Sequence, residues 1–194
     1  KVSWSEMDPP KLKLISKSEI IEPLMNNSLV SFSFDEGGGD FGVFSYEEWR
    51  DIREVIYGQT VDNENQELVP IKGHGALYKK GVSGTALAFD GYYTGVITDH
   101  EIANKSSFSV EGWIALDVYP YNDAPIIHKS SQFGKKGFYL GVDAYGHPFI
   151  TINGTKTKAE LILPLYTWSH IAATVNQNIM KLYVDGQEVA AAAF

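Results

Sequence analysis

The 194-residue chain contains no cysteine. Disulfides and thiolate metal sites are therefore excluded, although this absence does not indicate a compartment. No run approaches the roughly 20 apolar residues that a membrane-spanning helix needs, so we expect no membrane insertion. The formal net charge is −8. This excess of acidic groups repels phosphate backbones, and nucleic acid is therefore not an expected partner.

Aromatic residues are frequent, at 13% of the chain, which suits half-buried pleated sheets. The clearest strand pattern lies at 108–118. Its alternate positions are apolar: Phe108, Val110, Ile114, Leu116 and Val118. Because successive strand residues point to opposite faces, these five predict one buried face, with Trp113 on the other. A strand of this kind is typical of a sandwich of two sheets.

Short strands and tight turns fill much of the remaining sequence. Asn153-Gly154 and Asp185-Gly186 are two-residue hairpin signals. Regularly spaced short strands favour a sandwich over a parallel sheet.

One helix is predicted at 46–57. Ser45 and Glu48 have the spacing of a capping box, and Trp49, Ile52 and Ile56 recur at helical intervals.

Four segments in order resemble the signatures of laminin-G-like, concanavalin A-like jelly rolls. They are SGTALAFDG at 83–91, FSVEGW at 108–113, WSHIA at 168–172 and LYVDG at 182–186. The resemblance implies an all-β, concanavalin A-like jelly-roll sandwich at 29–194, with one short inserted helix and an N-terminal arm or linker at 1–28. It also implies that Trp113 and Trp168 belong to the core. Such domains are appended to secreted bacterial glycoside hydrolases, including family 32.

The chain departs from this family at its end. The family has further strands after the Asp-Gly hairpin, whereas this sequence stops at Phe194. We therefore expect either a sandwich without its closing strands or a longer polypeptide in which a partner domain supplies them. An open edge beside a first strand at 30–34 would invite pairing with another chain.

Catalytic residues are not expected in this chain. Sugar-cleaving members of the wider fold carry carboxylates at alternate positions of one strand, but Asp99 and Glu101 are followed by Ala103. Asp8 is faintly similar to the nucleophile motif of family 32, yet Arg50-Asp51 lacks that family's following proline. We treat Asp8 as a coincidence, and the parent protein as a candidate glycoside hydrolase.

No metal or other cofactor is assigned from the sequence. The five histidines are scattered, unlike clustered zinc ligands. Several jelly rolls of this type bind calcium through loop oxygens, which would come here from Asp35, Glu36, Asp40 or Asp123.

Carbohydrate binding requires exposed aromatic rings with polar neighbours. One short stretch gathers several suitable side chains, namely Tyr119, Tyr121, Asp123, His128 and Lys129. Tyr92, Tyr93 and Trp49 are further candidates. The alternative for Tyr119 and Tyr121 is packing under Pro120 and Pro125.

The sequence therefore predicts a non-catalytic carbohydrate-binding module of a secreted polysaccharide-degrading enzyme, located outside the cell, in the periplasm or at the cell surface. One alternative is a glycoside hydrolase fragment whose catalytic residues lie elsewhere. The other is a protein-interaction or adhesion module.

Overall fold

The computed structural model describes residues 31–34, 56–62, 67–72, 77–92, 94–97, 107–131 and 136–194. These residues contain thirteen β-strands and no helix. The strands are β1 (Ile56–Asp62), β2 (Glu67–Lys72), β3 (Leu77–Lys80), β4 (Thr85–Ala88), β5 (Gly95–Val96), β6 (Ser107–Ala115), β7 (Ala124–Ser131), β8 (Lys136–Val142), β9 (Pro148–Ile152), β10 (Thr155–Lys158), β11 (Trp168–Asn176), β12 (Ile179–Val184) and β13 (Gln187–Ala193). The predicted all-β fold is confirmed.

Two four-stranded antiparallel sheets form the main body. Sheet I has the order β13-β12-β11-β6, and sheet II has the order β10-β9-β8-β7. Strands β1, β2 and β5 form a three-stranded sheet, while β3 pairs with β4. Adjacent strands in both main sheets follow one another closely in sequence, except that β11 returns to pair with β6.

Both predicted two-residue hairpins are present. Asn153 and Gly154 have φ values of 47° and 90°, and Asp185 and Gly186 have values of 49° and 78°. Positive φ at both central residues defines the turn whose twist matches that of the flanking strands. Asn and Asp tolerate this conformation better than other residues with a Cβ atom. The turns therefore set the registers β9–β10 and β12–β13.

The hydrophobic core lies between the two main sheets. Sheet I contributes Ile171 and Leu182, and sheet II contributes Phe138, Leu140 and Ile150, each at most 2% exposed. Strand β11 alternates between buried and partly exposed side chains along nearly its whole length. This period-two pattern turns one face of each strand inward and leaves the other available for contacts outside the core.

Most of the predicted buried face of β6 is confirmed. Val110 is buried, and Phe108, Ile114 and Leu116 pack against the same core. Val118 is 72% exposed, so its predicted burial is wrong. Strand β6 ends at Ala115, and the chain bends after the Leu116–Leu165 bridge, which removes Val118 from the alternation.

The predicted core position of Trp113 is also wrong. Its side chain is 53% exposed and lies beside His170 on the outward face of sheet I, with ring centroids 5.2 Å apart. The reason is the strand period, since Trp113 shares its face with Ser109 and Glu111. Trp168 has the same outward parity and is half-buried, outside the core cluster.

Two predictions near the N-terminus meet the structure only in part. Residues 46–55 of the predicted helix lie outside the described residues. Residues 56–57 begin β1, so the predicted end of the helix at 57 is wrong. Residues 31–34 are not in a strand, which contradicts the expected first strand. Phe34 instead adopts φ 55° and packs against Ile71 and Leu87.

The Trp113→Ala change should cost much less stability than a core truncation. We expect Phe138→Ala to lower the unfolding free energy by about 3–5 kcal/mol. Trp113→Ala should lower it by no more than roughly half as much, because half of the Trp113 surface already contacts water. Equilibrium urea unfolding of both variants measures the difference. Equal losses would contradict the outward placement of Trp113.

Candidate functional site

An open cleft of about 590 Å³ lies beside one end of sheet II. Its lining residues come from the β6–β7 connection and the β8–β9 turn: Tyr121, Asn122, Asp123, Asp143, Ala144 and Tyr145. The strand register explains why these distant segments meet. Ala124 pairs with Val142, so the residues immediately before β7 lie next to those immediately after β8.

The β8–β9 turn is organised by the buried carboxylate of Asp143. Its Oδ1 accepts hydrogen bonds from the backbone N–H groups of Tyr145 (2.9 Å) and His147 (3.0 Å). Its Oδ2 accepts one from Nζ of Lys158 at 3.0 Å. Burial by itself raises the pKa of Asp143, but the His147 N–H, Lys158 and the Tyr145 N–H outweigh it and leave the pKa below its ordinary value. Asp143 is therefore ionised near neutral pH and cannot act there as a general acid.

A second carboxylate at the cleft is also paired with a lysine of β10. Nζ of Lys156 lies 2.7 Å from Oδ2 of Asp123 and 3.8 Å from the centroid of the Phe149 ring. Burial and then the Asp123 charge raise the pKa of Tyr139 to about 12, so its hydroxyl stays protonated. Each cleft carboxylate thus has its own ammonium partner, and the local charge is balanced.

Two tyrosines provide aromatic surface at the cleft. Tyr121 is 97% exposed and Tyr145 is 73% exposed, and they lie on the two different segments that line it. Ring faces of this kind can stack on a flat, weakly polar ligand surface, while nearby carboxylates and ammonium groups exchange hydrogen bonds with hydroxyls.

Tyr119, a predicted ligand residue, lies under the β8–β9 turn and does not line the cleft. Its hydroxyl donates a 2.9 Å hydrogen bond to the carbonyl oxygen of Leu163. A Cβ atom on Gly146, which has φ 88°, would come within 2.5 Å of the Tyr119 ring. The close approach of ring and backbone positions the turn that carries Tyr145.

The other predicted ligand residues are dispersed. His128 is exposed on β7 and makes an edge contact with Tyr139, with centroids 6.2 Å apart, and Lys129 follows on the same strand. Tyr92 is 85% exposed in the Asp90–Gly91 turn, where its N–H donates to Asp90. Tyr93 and Trp49 lie outside the described residues.

Of the predicted ligand residues that the structure describes, only Tyr121 and Asp123 line the cleft. Sequence reasoning missed Asn122, Asp143, Tyr145, Lys156 and Lys158. The available signal was Tyr145 next to Gly146, since a large aromatic side chain at a hairpin tip has little core to enter.

Most of the carboxylates considered in the sequence as calcium ligands or catalytic groups are not among the described residues. Asp35, Glu36, Asp40, Asp99 and Glu101 lie outside the described residues. Within the ranges that are described, no three His, Cys, Asp or Glu side chains are grouped as a metal site. The same residues include no helix long and apolar enough to cross a membrane.

Comparison with known proteins defines the class of this domain. The sequence profile described as the concanavalin A-like lectin/glucanases superfamily, laminin G type, matches residues 90–194, which is more than half of the chain. The chain therefore belongs to this superfamily, and the resemblance noted in the sequence is confirmed. No curated protein sequence matches the chain.

Three solved structures align with the chain over different lengths. Domain 4 of AbnA, a GH43 extracellular arabinanase from Geobacillus stearothermophilus, solved with arabinotriose, aligns at 16% identity with a TM-score of 0.50, covering 63% of this chain and 60% of that one. A candidate carbohydrate-binding protein from Bacteroides ovatus aligns at 20% identity with a TM-score of 0.39, and the alignment covers 46% of this chain and 26% of that one. An S-layer domain-containing protein from Clostridium thermocellum aligns at 19% identity with a TM-score of 0.47, and the alignment covers 84% of this chain and 71% of that one. The first two alignments thus span less than two thirds of the neighbours' own chains.

The fit of Gly146 against Tyr119 predicts a specific loss of stability. Gly146→Ala should destabilise the domain by more than Gly154→Ala. Both glycines have positive φ, which costs an alanine roughly 1–2 kcal/mol, but a Cβ atom at Gly154 meets nothing within 4 Å. Thermal unfolding of both variants isolates the steric contribution. Equal losses would show that the Tyr119 contact does not constrain the turn.

Asp143 should make the domain acid-sensitive. Because folding lowers the pKa of Asp143, its ionised carboxylate stabilises the folded state fully at pH values well above 3.8, the ordinary pKa. This stabilisation is lost as the pH falls through the lower pKa of the folded state. The stability gap between the wild type and Asp143→Asn should therefore be widest near pH 6 and narrow toward pH 3. Urea midpoints across this range measure it, with Asp117→Asn as the exposed control. A gap that does not change with pH would contradict the assignment.

Proposed function

We propose that this chain is a non-catalytic carbohydrate-binding module that attaches an extracellular polysaccharide-degrading enzyme to its substrate. The observation that carries the proposal is the cleft, where two exposed tyrosines flank two lysine-paired carboxylates. Exposed rings with fixed polar neighbours are the combination that a sugar requires, because its ring faces are apolar and its rim is hydroxylated.

The electrostatics of the cleft favour a neutral glycan. Lys156 and Lys158 offset the charges of Asp123 and Asp143, so a uronic acid would find no unpaired cation among these four groups. Neutral hydroxyls, in contrast, can donate to the carboxylates and accept from the ammonium groups.

The fold supports the same proposal. The arabinanase domain solved with arabinotriose shares the fold of this chain. A neutral arabino-oligosaccharide is therefore the first ligand to test, although a fold of this kind carries many different sites. An extracellular setting is part of the proposal because that neighbour belongs to an extracellular enzyme.

Binding should depend on the two cleft tyrosines. We expect dissociation constants in the range of about millimolar to micromolar, and at least a roughly tenfold loss of affinity in the double variant Tyr121→Ala/Tyr145→Ala, because stacking surface is removed. Affinity electrophoresis in arabinan and other neutral polysaccharides measures this loss.

The matched control is Tyr92→Ala, which removes an exposed tyrosine far along the sequence from the cleft segments. Its mobility should equal that of the wild type. Retardation that survives the double change but disappears with Tyr92→Ala would move the site to the β4–β5 connection. A wild type that no polysaccharide retards would refute the proposal and favour a protein-interaction module.

A further inference from the structure

A cluster of aromatic and polar side chains lies on the outward face of sheet I, apart from the cleft. Trp113 is 53% exposed, and its neighbours Glu111 and His170 retain 56% and 24% of their side-chain exposure. None of the three belongs to the cleft. A large indole ring in this position leaves apolar surface in water, which a stacked ligand would remove.

The geometry of this group is fixed by regular strands. Trp113 and His170 are direct partners across β6 and β11, with ring planes inclined at 54°. Nε2 of His170 lies 3.6 Å from Oε2 of Glu111. The backbone of His170 is held in addition by Asp185, whose Oδ1 accepts the His170 N–H and whose N–H donates to the His170 carbonyl, both at 2.8 Å. The indole, the imidazole and the carboxylate therefore form a platform on two paired strands.

The chemistry of the platform matches a neutral sugar ring. An apolar protein surface placed on Trp113 would also cover the Glu111 carboxylate and remove its water, which is costly without new hydrogen bonds. A sugar can stack its apolar face on the indole while its hydroxyls donate to Glu111 and exchange hydrogen bonds with His170. We propose that Trp113, Glu111 and His170 form a second glycan-binding site. The ligand class rests on the proposed function, but the two sites share no residue.

The two sites lie on different parts of the sandwich. The cleft is built at the end of sheet II, whereas Trp113 faces away from the core that sheet I shares with sheet II. A polysaccharide that reaches both sites would bind more tightly than either site alone allows, because the second contact becomes intramolecular. A trisaccharide would fill the two sites independently.

Nuclear magnetic resonance titration can observe each site separately. The probes are arabinotriose, xylotriose, cellotriose and a fructotriose, added to the ¹⁵N-labelled chain. The indole N–H resonance of Trp113, assigned by its loss in Trp113→Phe, reports the platform, and the backbone amide of Asn122 reports the cleft. We expect at least one trisaccharide to shift the Trp113 signal saturably. Tyr121→Ala should leave this shift unchanged, and Glu111→Gln should weaken the binding that causes it several-fold.

The controls separate this inference from the proposed function. Trp113→Ala should abolish binding at the platform and lower affinity for a retained polysaccharide by about tenfold. Ile179→Ala should change neither, since Ile179 is 51% exposed at the other end of the same face. If a trisaccharide shifts the Trp113 resonance but not the Asn122 resonance, only the assignment of the cleft is refuted. A Trp113 signal that no trisaccharide shifts, or that shifts equally after Glu111→Gln, would overturn the second site.

Discussion

The apolar core between the two four-stranded sheets is the constraint on which the remaining structure depends. Strands β8, β9, β11 and β12 supply most of its fully buried side chains. Because each strand gives one face to this core, the opposite faces and the connecting loops carry the exposed aromatic and charged groups. Tyr121 and Tyr145 in loops and Trp113 on a strand are thus held in place by a rigid sandwich without contributing to its centre.

The fold was largely predictable because its signals are local. Asn153-Gly154 and Asp185-Gly186 predict tight hairpins, and the alternation around Val110 predicts which face of β6 is buried. Trp113 is the exception. Its parity already placed it beside Glu111 on the outward face, but the family resemblance suggested a core position. The structure agrees with the parity, because the period of a strand is stricter than a similarity in residue type.

The cleft could be predicted only in part, because it depends on contacts between distant segments. Tyr121 and Asp123 stood out within one loop, whereas Asp143 and Tyr145 join them only through the pairing of Ala124 with Val142. The pairing of Lys156 with Asp123 depends in turn on the β9–β10 hairpin. No pattern within a single segment indicates these partners. A sequence therefore reveals candidate side chains more readily than the site that they form together.

The most direct test of the carbohydrate-binding account is a crystal structure of the chain with a neutral oligosaccharide, beginning with arabinotriose. The account predicts a sugar ring stacked on Tyr121 or Tyr145, with hydroxyls within hydrogen-bonding distance of Asp123, Asn122 or Lys156. It also predicts that the β8–β9 turn keeps its hydrogen bonds to Asp143, because the site is already formed. An oligosaccharide bound elsewhere, with the cleft filled only by solvent, would contradict the assignment of the cleft, and crystals in which no sugar binds the chain would contradict the account as a whole.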